Sequence, residues 1–333
     1  MKNSQLNDNQ EISASKYKLN IINQQNTNKS QLKTNNQNNE NINIPLNNDL
    51  NTSNTNDNNI SPISLSLLKN IVNKADKLEI EIINSLLLDP NKNTKIEINA
   101  LGMLHGSRRK EKDGITYFGL IEENNSYIDT NYNEEVDYII NSNDIGENNN
   151  LIGRHFRIRF DINTMKYYIR DLGCGFGTFK KIVKKAQIKD SDLLNIGNSY
   201  IVCTFGVDEY YPEEAAIEDA DKTLNIKVFS EIPQAEPHFF NPKQFKRIYI
   251  GRDVSCNIII DDSLLSRVHC TIKYDEENGW VIYDGRIDDD DEYKNKPSTN
   301  GTWLYLIEEI PIEDGLIFKN NKNAFECHLE KPN

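Results

Sequence analysis

Nowhere in the chain do eighteen apolar residues run together, so no membrane-spanning helix is expected. The first residues, MKNSQLNDNQ, lack the apolar core of a signal peptide, and Lys2 after Met1 removes the Met-Gly start that myristoylation needs. A soluble, intracellular protein of the nucleus or cytoplasm is the expectation. Cysteine is scarce: Cys174, Cys203, Cys256, Cys270 and Cys327 are an odd number without a CxxC pair, which points away from a disulfide framework and from a zinc site. No metal and no cofactor is expected. Basic residues are also short, 38 Lys and Arg against 51 Asp and Glu, and the formal charge of −13 repels polyphosphates over the surface as a whole. Nucleic acid is not an expected partner.

Residues 1–60 contain no Gly, Phe or Trp and only Tyr17 as an aromatic, while roughly a third are Asn, too little apolar surface to offset the entropy of ordering. A disordered tail is expected there. In residues 61–94, opened by Ser61 and Pro62, the apolar residues Leu68, Ile71, Val72, Ala75, Leu78, Ile82, Ile83 and Leu86 recur at helical spacing. The pattern predicts one amphipathic helix ending near Asp89 and Pro90, packed on its own domain or offered to a partner. From about Thr94 the texture changes to short alternating runs such as KIEINALGML, ITYFGLI, FRIRFDI and NSYIVCTF, parted by Asn, Asp and Gly. The stretch 208–222 is rich in acid and reads as a linker. Beyond it, LNIKVFS, FKRIYIG, CNIIID, HCTIKYD and GWVIYDG repeat the texture. Many short strands without intervening helices predict an all-β protein of antiparallel sandwiches.

The two β-rich stretches, 95–207 and 223–331, align with each other. With His155 opposite His269, HFRIRFDI falls on HCTIKYDE, and Gly177-Thr178 answers Gly301-Thr302 after ten additional residues in the second stretch. Past that point the register is shared: Thr178 to Ser191 and Thr302 to Gly315 are both 13 steps, and Thr178 to Cys203 and Thr302 to Cys327 both 25. A tandem duplication of one β fold is expected.

In the second stretch three signatures follow in order: IYIGR (Ile248 to Arg252), SRVH (Ser266 to His269) and STNGT (Ser298 to Thr302). They supply an Arg fork, a compact hydroxyl donor, a second Arg and a polar turn, an inventory suited to a phosphate held on loops above a rigid sandwich. These residues resemble the forkhead-associated (FHA) domain over about 223–331. The resemblance implies a β-sandwich whose loops at one end bind a phosphothreonine peptide, and hence a threonine-phosphorylated protein as partner. By it, Arg252 grips the phosphate, Ser266 bonds it and Arg267 adds a basic contact. Thr299 stands beside the phosphothreonine, Asn300 bonds the peptide backbone, and Gly251, His269 and Gly301 support the site. Arg252 also fits a plain surface Arg at a strand end.

The first stretch keeps the frame and loses these groups. Leu120 stands where Arg252 does, Ile152 and Gly153 where Ser266 and Arg267 do, and Gly175 and Phe176 replace Thr299 and Asn300. It resembles an FHA domain with a degenerate phosphate site. Gly173, Gly175 and Gly177 are too tightly spaced for a GxGxxG loop, no HRD or DFG follows, and no GxSxG elbow accompanies Ser266 and His269. No enzyme is expected. The architecture expected is two tandem FHA-type β-sandwiches after a disordered tail and one helix. The function expected is that of a phosphothreonine-binding adaptor, with a phosphate-independent scaffold as the alternative. The run Asp288 to Glu292 in the insertion is either a solvated loop or an internal competitor for Arg252 and Arg267.

Overall fold

Apolar and polar residues alternating at period two put half of each short run on a buried face, and strands dominate accordingly. A computed structural model describes residues 65–84, 95–121, 136–140, 152–206, 222–230, 232, 236–287 and 296–332. The Asn-rich tail, residues 208–221 of the acidic linker and the run 288–292 lie outside the described residues. Among the described residues no helix is long and apolar enough to cross a membrane.

The helix expected to run to about residue 89 is shorter. α1 spans Leu65–Ile71, and the next segment, Lys77–Asn84, is the strand β1. The sequence KLEIEIIN satisfies both periods, since Leu78 and Ile82 suit a helical stripe while Leu78, Ile80 and Ile82 alternate. Pairing on both edges decides for the strand, and it leaves Leu78 and Ile80 fully buried.

β1 extends the first sandwich upstream of the expected boundary at residue 95, since it pairs with β2 (Lys95–Asn99), which is followed by β3 (Gly102–Met103), β4 (Ile115–Leu120), β5 (Tyr138–Ile139), β6 (Gly153–Asp161), β7 (Lys166–Asp171) and β8 (Thr178–Lys181). Three more strands close the first stretch: β9 (Lys185–Gln187), β10 (Asp192–Ile196) and β11 (Ser199–Phe205). The second stretch repeats the series with β12 (Leu224–Phe229), β13 (His238–Phe240), β14 (Arg247–Gly251), β15 (Ile258–Ile259), β16 (Cys270–Asp275), β17 (Gly279–Asp284) and β18 (Thr302–Tyr305). It closes with β19 (Ile310–Pro311), β20 (Ile317–Asn320) and β21 (Asn323–Glu330). Equivalence of the copies holds in detail. β4 and β14 each take a parallel neighbour, Phe118 faces Phe156 as Ile250 faces Cys270, and Ser191 and Gly315 both adopt positive φ.

The pairing exchanges the last three strands of the copies. β10 and β11 lie between β18 and β12, and β9 adds to β17, so all three first-stretch strands complete the second sandwich. In return β20 and β21 lie between β8 and β1, and β19 adds to β7. One eleven-stranded sheet results, in the order β13-β12-β11-β10-β18-β8-β20-β21-β1-β2-β3, with the five-stranded sheets β15-β14-β16-β17-β9 and β19-β7-β6-β4-β5. At its centre β8 and β18 run antiparallel around a pseudo-twofold axis: Ile182 N donates to Thr302 O and Leu306 N to Thr178 O, both at 2.9 Å.

Both cores are therefore composite. In one, Leu194, Ile196 and Ile201 pack with Ile226, Ile250, Ile272 and Trp280. In the other, Phe156 stacks on Phe118 at 4.5 Å and meets the second-stretch Phe318 edge-on at 5.4 Å. Polar links cross the same boundary. Arg159 grips Glu309 with Nε at 2.8 Å and Nη2 at 2.6 Å, and Tyr305 donates to Asp171 at 2.7 Å.

Candidate functional site

At one end of the second sandwich, the loops after β14, before β16 and before β18 meet around an open cleft of about 440 Å³. Arg252, Ser266, Arg267 and Thr299 all line it, so four of the residues singled out in the sequence come together. The other four lie beside or behind it. Gly251 ends β14 against the next loop, where a Cβ would stand 2.2 Å from Arg267 O, so any side chain there would push the two loops apart. Backbone bonds from Arg252 N to Ser266 O at 3.3 Å and Asp253 N to Arg267 O at 3.0 Å fix that approach.

Ser266 joins two loops. Its Oγ accepts from Thr299 N at 3.0 Å and stands 3.3 Å from Thr299 Oγ1. Behind it His269 is fully buried: Ser266 N donates to its Nδ1 at 3.2 Å, so the ring hydrogen sits on Nε2 and is donated to Gly301 O at 3.0 Å. Gly301, at φ +77°, turns the chain there. Asn300 Nδ2 donates to Leu264 O at 2.7 Å, and Trp303 Nε1 to Asn300 O at 2.9 Å.

Three residues of this end escaped the sequence reading. Arg286 and Lys296 also line the cleft and pair with each other as a β-bridge at the base of the insertion, so among the described residues the cleft carries four cationic side chains against the one acid Asp253. Neither belongs to one of the three motifs, and the insertion between them hid their pairing. Asp284, buried at the end of β17, accepts Ser298 Oγ at 2.6 Å, Ser298 N at 3.1 Å and Thr302 Oγ1 at 2.7 Å, and so sets the start and end of STNGT. The Asp-Gly pair at 284–285 was its only signal. The Asp253 carboxyl is held below its usual range, first by the Ser255 N–H at 2.9 Å and then by Arg267 and Arg252.

Burial pushes the His269 pKa down, and His238 moves the same way for the same reason. The native state thus resists a proton that the unfolded chain takes up below about pH 6.5. Stability from these rings is present above that pH and lost as the pH falls. The thermal midpoint is expected to drop between about pH 7.5 and 5.5, and to drop less in His269→Asn, as calorimetry over that window would show.

The equivalent end of the first sandwich keeps the close approach of its loops but differs in chemistry and in backbone, Gly153 and Gly175 taking a positive φ that Arg267 and Thr299 do not. Gly119 repeats the close approach, since a Cβ there would lie 2.0 Å from Gly153 O. Leu120, at the position of Arg252, is buried, and Ile152 stands at that of Ser266. A Cβ on Gly175 would be 2.6 Å from the His155 ring, so no side chain fits at the position that answers Thr299 unless that ring moves. His155 itself is held through Nδ1 by Asn320 Oδ1 at 3.1 Å.

The FHA-domain family model matches residues 248–319, the span from β14 into β20. The C-terminal copy is an FHA domain. The family match therefore runs through the crossover, and its last strands, β19 and β20, lie in the sandwich built on the first copy. Among solved structures, the crystal structure of FHA-1 of Mycobacterium tuberculosis Rv1747 is similar at 16% identity, over 29% of this chain and 91% of that one, with a TM-score of 0.15. No curated protein matches the sequence. FHA domains are phosphopeptide-binding interaction modules, and the cleft of this one is the place where the motif residues converge.

Proposed function

We propose that the chain is a non-enzymatic adaptor whose FHA domain binds a phosphothreonine segment of a partner protein in the cleft of Arg252, Ser266, Arg267 and Thr299. The observation that carries this reading is a hydroxyl pair, Ser266 and Thr299, among four cationic side chains on a protein of net charge −13. A phosphate brings about −1.5 to −2 charges and three acceptor oxygens, which match an Arg fork and hydroxyl donors. In this reading Arg252 takes the phosphate bidentately, Ser266 turns its hydroxyl to a second oxygen and Arg267 adds charge. Asn300 offers Oδ1 to a peptide N–H, its Nδ2 being engaged by Leu264 O. Gly251, His269 and Gly301 keep the loops in place. The first copy serves as a scaffold, because Leu120 and Ile152 offer the phosphate neither charge nor hydroxyl.

Calorimetry on the full chain with matched phosphothreonine and threonine peptides tests this. A micromolar dissociation constant, about −7 to −9 kcal/mol, is expected for the phosphorylated peptide alone. The stoichiometry should be one per chain, since the equivalent end of the first sandwich lacks the groups. Equal affinity for both peptides would favour the phosphate-independent scaffold, and two phosphate-dependent sites would refute the assignment of the first copy.

A further inference from the structure

The loop that carries Ser266 does not hold its shape alone. Asp262, buried at its start, accepts Leu264 N at 2.9 Å on one carboxylate oxygen. The other oxygen accepts Asn198 N at 2.8 Å and Ser199 Oγ at 3.1 Å. Asn198 lies in the turn between β10 and β11 and Ser199 opens β11, both in sequence of the first copy. The fit is close: Gly197, at φ +53°, would bring a Cβ to 2.7 Å from Asp262 Oδ2 and 3.1 Å from Leu265. From Asp262 the chain of bonds reaches the cleft in one step, because Leu264 O holds Asn300 and Leu265 N is anchored on Asp262 O at 3.0 Å just before Ser266.

The structure assigns the turn Gly197–Ser199 as a positioning element of the FHA cleft, so that the first copy, lacking phosphate-binding groups of its own, sets the geometry of the second copy's site through Asp262. A carboxylate that gathers three donors from two segments fixes both more firmly than neutral bonds would, and loop position matters because a phosphate contact falls off within fractions of an ångström. The same exchange supplies an internal control. In the matching hairpin, Asn321 occupies the position of Gly197, with φ +55°, and its neighbour Asn320 serves the first sandwich, bonding His155 and Gly177 O.

This inference rests on the reading of the cleft as the phosphopeptide site, and the test separates the two. A phosphothreonine peptide is titrated into full-length wild type, Gly197→Ala, Asn321→Ala, Asp262→Ala and Asp262→Asn, with amide exchange of Leu264 followed in each chain. Expected is a loss of tenfold or more in Gly197→Ala and Asp262→Ala, partial recovery in Asp262→Asn, which keeps an acceptor for Leu264 N, and less than a twofold change in Asn321→Ala. Wild-type affinity in Gly197→Ala, or a loss in Asn321→Ala as large as in Gly197→Ala, would overturn the assignment. Should wild type bind no phosphopeptide, the reading of the cleft fails, and the exchange data still decide the inference. Faster Leu264 exchange in Gly197→Ala but not in Asn321→Ala upholds it, and an unchanged rate in Gly197→Ala overturns it.

Discussion

Replacing Arg252 by Ala is expected to weaken binding of a phosphothreonine peptide by roughly 30- to 150-fold, the equivalent of about 2–3 kcal/mol for a charge-assisted bidentate contact. The side chain is exposed and follows the last residue of β14, so its removal takes no apolar area from the core and the thermal midpoint should stay where it is. Loss of affinity without loss of stability is the signature to look for. Arg252→Lys should fall between, since a point charge keeps the attraction and loses the planar fork. Ser266→Ala should cost less than Arg252→Ala. It removes one donor to the phosphate but also leaves Thr299 N without its acceptor, so part of its effect is a looser loop. Raising salt should narrow the gap between wild type and Arg252→Ala, because the contact lies at an exposed cleft where ions screen it. Calorimetry at two salt concentrations checks both points, and an Arg252→Ala chain that binds as tightly as wild type would exclude this cleft as the phosphate site.

The residues that meet at the cleft were legible because each sits in a short motif whose chemistry and order are specific, and because a duplicated chain supplies its own comparison. The 13-step and 25-step registers after Thr178 and Thr302 reappear as two turns at positive φ, Ser191 and Gly315, and two buried cysteines, Cys203 and Cys327. What the registers could not reveal is which sandwich receives which hairpin. Two equivalent hairpins present equivalent apolar faces to both cores, so patterning alone is degenerate between a sequential and an exchanged arrangement. The joints break the tie. Residues 182–184 are Ile, Val and Lys and 306–309 are Leu, Ile, Glu and Glu, with none of the Gly, Pro, Asn or Asp that a tight reversal needs, so the chain runs on into the neighbouring sandwich. The segment Lys77–Asn84 shows a related ambiguity, as its apolar residues satisfy two periods and tertiary pairing chooses. Asp262 was beyond reach for another reason: nothing in its own loop marks it, and its partners lie 63 and 64 residues away in the other copy.

The exchange makes a mutation near the C-terminus a mutation of the N-terminal sandwich. Phe325 is 1% exposed in β21, stacked on Phe318 at 4.9 Å and edge-on to Phe156 of β6 at 6.2 Å. Truncating a phenylalanine in such a core costs about 3–5 kcal/mol, because the aromatic neighbours can close only part of the cavity. For a folded unit of this size that lowers the thermal midpoint by roughly 6 to 20 °C. Phe325→Ala is therefore expected to melt well below wild type, and the place where protection fails first is the informative result. Phe156 and its stacking partner Phe118 lie in β6 and β4, more than 150 residues upstream, and among the described residues the ring contacts of Phe325 are with Phe156 and Phe318 and not with the β14-β16-β17 sheet. Hydrogen exchange should show amides of β4 and β6 losing protection before those of β14 and β16. Early loss confined to β14 and β16 would mean that the last hairpin closes its own copy after all, and that the two sandwiches follow one another along the chain without trading strands.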